Sequence, residues 1–216
     1  MSQENKIAKS TASQLLAVGA IQINPSEPFT WASGWKSPIY CDNRLSLSFP
    51  EARNFIKNAL IDEIKKQYPN IEGVAGVATA GIPQGTLVAD TLNVPFVYVR
   101  SSPKSHGLEN MVEGKITPGQ KIVVVEDLIS TGGSSVKAAL ALRELGFDVL
   151  GLAAIFSYGF EAAKQNFQMA NMPFFTLTDY ATLLDVAIEE GKIQEADLVS
   201  LNEWREKPAE WGRFGN

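Results

Sequence analysis

Apolar residues follow two different rhythms along this chain. From Ile7 to Val18 they recur at helical spacing, with Gly19 as a stop. A second helical stretch runs from Pro50 to about Tyr68, opening on a proline that a first turn tolerates. Beyond residue 70 the rhythm changes to short unbroken apolar runs at 73–78, 95–99, 121–125, 149–156 and 173–177. Runs without polar alternation belong to strands covered on both faces. Helical spacing returns between most of them, from Gln84 to Leu92, Ser134 to Leu145 and Gly159 to Met169, while Ala181 to Trp211 reads as one or two further helices. Strand alternating with helix predicts right-handed βαβ units and an α/β fold with a central parallel sheet of about five strands flanked by helices. The segment from Pro25 to Asn43, rich in aromatics and broken by Gly and Pro, reads as short strands or a loop. One domain over residues 1–216 is expected, with about 1–65, joined by the C-terminal helices, forming a small N-terminal hood over a core at about 70–180.

Composition narrows the partners. Hydrophobic residues at 45% and charged residues at 20% are ordinary for a folded domain and exclude wholesale disorder. No apolar stretch approaches the roughly 20 residues that span a bilayer, so no membrane partner is expected. The net charge of −5, from 19 basic against 24 acidic residues, argues against a nucleic-acid partner, which needs an electropositive face. The single cysteine, Cys41, cannot form an intrachain disulfide. Residues 1–6 lack the basic-then-apolar pattern of a secretory signal, and the expected location is cytoplasmic.

In parallel sheets ligands bind at the carboxyl ends of strands. Three unusual sequences fall there: after Ala78, after Val99 and after Val125. Following Val125 come Glu126 and Asp127, then Leu128, Ile129, Ser130, Thr131, Gly132, Gly133, Ser134 and Ser135, then an Ala- and Leu-rich helix. Glycines let backbone approach a ligand, and free amides at a helix start favour a phosphate dianion. Two acids would repel a bare phosphate, but they suit sugar hydroxyls that need acceptors, or a Mg²⁺ carried by the ligand. A P-loop needs Gly-Lys-Ser/Thr, and a dinucleotide fingerprint places its acid about 20 residues later; neither pattern is present. A plain helix cap with a flexible lead-in is the bland alternative.

This run resembles the 5-phosphoribosyl 1-pyrophosphate (PRPP) signature of type I phosphoribosyltransferases. The resemblance implies that Glu126 and Asp127 contact the ribose hydroxyls and that Ser130 to Ser134 wrap the 5-phosphate. The long polar stretch after Val99 carries Arg100, Lys104 and the only histidine, His106. Such cationic groups suit a pyrophosphate leaving group, and a lid there excludes water. The Arg-x-x-x-Lys-x-His-Gly spacing is similar to the catalytic loop of orotate phosphoribosyltransferases, in which the loop enters the neighbouring subunit's site. A homodimer with shared active sites is thereby implied. Some members have a second basic residue directly after the arginine; here it is Ser101.

Phe29 to Tyr40 resembles that family's base-binding segment, with Tyr40 and Lys36 as orotate contacts alongside Ser130, and Arg44 as an alternative partner for the carboxylate. Tyr40 reads equally well as a core aromatic. The turn at 78–85 takes the place of the pyrophosphate loop, or is a tight turn that needs Gly81. Ala32, Ala80 and Gly159 stand where some relatives carry basic residues. The resemblance spans residues 7–184 and implies a type I phosphoribosyltransferase-like fold, with the hood binding the base and the core binding PRPP. It also implies transfer of the 5-phosphoribosyl group from PRPP to orotate, with Mg²⁺ carried in on PRPP and no metal site of the protein's own. Lys104, His106, Arg100 and Asp127 are the catalytic candidates. A purine phosphoribosyltransferase or a PRPP-sensing regulator are the remaining readings.

Overall fold

The structure, a computed structural model, describes residues 3–31, 34–101, 111–115 and 117–211. Helix α1 (Gln3–Ala17) precedes four short strands, β1 (Ile21–Ile23), β2 (Phe29–Thr30), β3 (Lys36–Ser37) and β4 (Ile39–Cys41). They form two antiparallel ribbons, β1 with β4 and β2 with β3, so the aromatic segment is paired strand rather than open loop. A 3-10 turn over Asn43–Ser48 and α2 (Pro50–Gln67) complete the N-terminal part.

The core then alternates as its apolar runs predict: β5 (Gly73–Val77), α3 (Gly81–Leu92), β6 (Phe96–Val99), β7 (Val112–Glu113), β8 (Lys121–Ile129), α4 (Gly133–Glu144), β9 (Asp148–Ser157), α5 (Glu161–Met169) and β10 (Phe174–Asp179). α6 (Tyr180–Glu189) and α7 (Leu198–Glu206) follow. One six-stranded sheet has the order β10-β9-β8-β5-β6-β7. Its first five members are mutually parallel, and β7 adds an antiparallel edge against β6. Two cores cover the two faces: Val123, Val125, Ala153 and Ile155 enter one, while Ile122, Val124, Leu152 and Ala154 enter the other. Successive side chains on a strand point to opposite faces, which is why these runs are apolar without alternation.

Two features set the site's geometry. The strand predicted to end at Val125 continues to Ile129, with its ladder to β9 running as far as Ile129 opposite Ser157. Pairing uses backbone groups, so Glu126 and Asp127 can hold ladder positions despite their charge, and the turn begins four residues later than their polarity suggests. The second feature is the close approach of α3: a Cβ on Gly81 would lie 2.4 Å from the Val125 carbonyl oxygen, so any side chain there would push the helix off β8.

Candidate active site

The carboxyl end of β8 gathers the candidate groups. Gly132 turns the chain in a left-handed conformation, φ 77°, directly before α4, and a Cβ there would meet the Phe167 ring at 2.8 Å. No side chain caps the start of α4, so its first amides, from Gly133 and Ser134 onward, are available to an anion. The turn is tied from the side, where the Asn166 side-chain amide donates to the Thr131 carbonyl at 2.9 Å. Ser130, Thr131, Gly132, Gly133 and Ser134 are thus brought together as one short cradle around a helix start.

Glu126 is 6% exposed. Its carboxylate accepts from the Asp127 amide at 3.0 Å and from the Ser135 hydroxyl at 3.3 Å. Burial, reinforced by the neighbouring Asp127 charge, pushes Glu126 up to about 9. Asp127 is also raised, first by burial, although the Arg44 guanidinium opposes the shift. The two acids therefore compete for one proton in a low-dielectric recess. On the hood side, the buried Asn43 side-chain amide donates to the Asp127 carbonyl at 2.7 Å, fastening the 3-10 turn to the strand.

Beside the acids opens a cleft of about 380 Å³ lined by Thr30, Trp31, Tyr40 and Cys41 from the hood and by Leu128, Ser130 and Tyr158 from the core. Tyr40, 42% exposed, lies on its wall against Phe29, with ring centroids 5.7 Å apart. It is a cleft aromatic, not a core one. Lys36 does not line the cleft; its ammonium donates to the Thr30 hydroxyl at 2.8 Å, one residue behind the wall. Arg44 is engaged with Asp42 through two contacts of 2.6 and 2.9 Å. Burial, then the Asp127 and Asp42 charges, raises the Cys41 thiol well above its usual range, which disfavours a thiolate nucleophile.

Arg100 follows β6, and its guanidinium lies 3.5 Å from the Glu113 carboxylate on β7. The 100–111 stretch is pinned at its base, where the Arg100 amide donates to the Met111 carbonyl at 2.7 Å. Lys104 and His106 lie outside the described residues. The 78–81 turn leads into α3 with no side-chain cap. Sequence reasoning did not single out Asn43, Thr30, Trp31 or Tyr158. For Tyr158 a signal existed, since it stands at the carboxyl end of β9 beside the PRPP-type turn.

Among the described residues, no group of three or more His, Cys, Asp or Glu converges as a metal cage, and no helix is long and apolar enough to cross a membrane. Comparison with known proteins places these features in context. The phosphoribosyl transferase domain model matches residues 53–172. The orotate phosphoribosyltransferase of Cytophaga hutchinsonii is 55% identical over 203 residues, which cover 94% of this chain and 97% of the relative. That of Bacteroides thetaiotaomicron is 56% identical over 200 residues, covering 93% and 94%. Among solved structures, the orotate phosphoribosyltransferase of Aeropyrum pernix superposes with a TM-score of 0.73 at 28% identity, over 84% of this chain and 98% of that one.

Proposed function

The chain belongs to the phosphoribosyl transferase domain family and, within it, to the orotate phosphoribosyltransferases, and from that premise we propose how its own residues carry the reaction. It is a pentosyltransferase of pyrimidine biosynthesis, joining orotate to the 5-phosphoribosyl group of PRPP to give orotidine 5′-monophosphate and pyrophosphate. One observation supports the assignment of roles above the others. A single stretch of β8 and its turn supplies the buried Glu126, the half-buried Asp127, the phosphate cradle and, through Leu128 and Ser130, one wall of the base cleft. Sugar, phosphate and base sites so arranged are contiguous, as one nucleotide product requires.

The 5-phosphate sits on the amides and hydroxyls of residues 130–134, which fixes the ribose. Asp127 and Glu126 accept hydrogen bonds from the two ribose hydroxyls. Bond breaking leaves positive charge on the ribose ring, and carboxylates in a water-poor recess stabilise that charge more strongly than solvent could. Hydroxyl donors and developing cation both favour the ionised acids, opposing the burial that raises them in the free protein. Tyr40 and Ser130 frame the base, with Lys36 behind Thr30. Arg100, Lys104 and His106 meet the departing pyrophosphate.

Mg²⁺ fits as an ion carried by the diphosphate: the carboxylates of Glu126 and Asp127 beside the anion cradle are hard oxygen donors of the kind it takes. Bound there, it would supply charge neutralisation to the leaving group. The reading includes a homodimer whose loops cross between sites, a hood at about 1–65 over a core at about 70–180, and a cytoplasmic location, which the single Cys41 supports.

The test is pyrophosphate release from PRPP and Mg²⁺ with orotate, uracil, adenine or hypoxanthine supplied separately. Orotate is the expected acceptor. Turnover with adenine but not orotate overturns the reading.

A further inference from the structure

We propose that Tyr158 is a specificity-determining residue of the base cleft, its phenol hydroxyl donating a hydrogen bond to an oxygen of the bound pyrimidine. This rests on the reading that the cleft over Leu128 and Ser130 receives orotate. Tyr158 directly follows the last residue of β9, and its amide donates to the Ile129 carbonyl at 3.1 Å. That bond fixes its backbone next to Ser130, so the distance from the phosphate turn to the Tyr158 ring is set by the sheet and not by a loose loop.

The ring itself has little freedom. Phe160 stacks on it at 5.3 Å between centroids, with 17° between planes. Phe156 and Trp204 meet it edge-on at 5.2 and 5.5 Å, and Trp31 lies tilted against it at 5.6 Å. Tyr158 is only 2% exposed, yet it lines the cleft, so the ring is enclosed and only a small part of the side chain faces the ligand space. Among the described residues, nothing hydrogen-bonds the hydroxyl. A fixed side chain that lines a cleft and whose hydroxyl has no protein partner is poised for a ligand atom.

The chemistry of that atom follows from the other lining residues. No cation lines this cleft among the described residues, and its polar side chains are Thr30, Tyr40, Cys41, Ser130 and Tyr158. The donors that these described residues offer an oxygen-rich ring are neutral. Burial first, then neighbouring groups including Cys41, Tyr180 and Asp127, keeps the Tyr158 phenol protonated well above its usual range. It therefore remains a donor throughout neutral and mildly alkaline pH.

Tyr158→Phe removes one oxygen and keeps the ring contacts. With wild-type turnover of orotate measured alongside, the variant should raise KM for orotate by about 10-fold, the scale of one hydrogen bond to a buried group. KM for PRPP should stay within about twofold, and the melting temperature should not fall. An unchanged KM for orotate in Tyr158→Phe overturns the proposal while leaving the activity intact. A parallel rise in both KM values, or a lower melting temperature, marks a disturbed wall and also overturns it. If the wild type releases no pyrophosphate with orotate, the underlying reading fails, and the proposal with it.

Discussion

At Glu126 the chemistry turns on a single proton. The free protein holds this carboxyl at about 9, against 4.5 for an exposed one, because burial and Asp127 both disfavour its charge. Between those values the folded chain keeps a proton that the unfolded chain has released, so folding stability declines as pH rises through that window. The ligand-free melting temperature is therefore expected to drop between pH 6 and pH 9, by about 2–4 °C for each kcal/mol lost in a chain of this size. Glu126→Gln, which stays neutral, should flatten most of that slope, and it should also weaken turnover by removing an ionisable acceptor for a ribose hydroxyl. Differential scanning calorimetry across the range decides the matter; equal slopes in both proteins would sink it. The oddity of two acids before a phosphate turn is legible in the residues alone. Their protonation is not, because it arises from burial among the cores packed around β8 and, at Glu126, from the adjacent Asp127 charge, against the hydrogen bonds that Ser135 and the Asp127 amide donate.

Among the secondary elements, α7 has the least obvious task. Trp204 on this helix is fully buried and touches the rings of Trp31, Tyr158, Phe160 and Tyr180, at 5.5 to 5.7 Å between centroids. Two of those rings, Trp31 and Tyr158, line the cleft proposed to take the base. The helix α7 thus braces a wall of the proposed base cleft. Trp204→Ala should cost about 3–5 kcal/mol through the cavity it leaves. It should raise KM for orotate more than KM for PRPP, since the phosphate turn lies on β8 and α4 instead. Thermal melts with steady-state kinetics test both halves, and proportionate changes in the two KM values would remove α7 from base recognition. Unbroken apolar runs make the parallel strands readable before any coordinates. The extension of β8 through Glu126 and Asp127 is hidden, because side-chain polarity says nothing about backbone pairing. The bracing by α7 is hidden too: amphipathic spacing shows that a helix has a buried face, but not which surface receives it. The family resemblance offers Lys36 as a base contact; β3 pairs it with Thr30, a residue of the cleft wall that Tyr40 and Trp31 share.

On the scale of the whole molecule, the open question is whose site the 100–111 loop serves. Its ends are held together on β6 and β7, and β5 lies between β6 and β8 in the sheet. With strands spaced about 4.8 Å apart, the loop's root stands roughly 10 Å to the side of the acids. Five residues of any chain, at about 3.3–3.6 Å per residue, span at most some 17 Å, a limit that excludes neither the loop's own site nor one across a two-fold interface. Reach does not decide, but stoichiometry does. Lys104→Ala and Asp127→Asn should each be nearly inactive alone. If the loop acts within its own chain, a hybrid of the two variants contains two damaged sites and recovers nothing. If it crosses, one hybrid site combines the intact Lys104 of one subunit with the intact Asp127 of the other, while the second site carries both lesions. Random reassociation makes about half of the dimers hybrid, so about a quarter of wild-type activity should return on mixing, unfolding and refolding the two proteins together. Recovery near that level supports crossed loops, whereas a mixture as inactive as its parents would confine Lys104 to its own subunit or deny it a part in turnover.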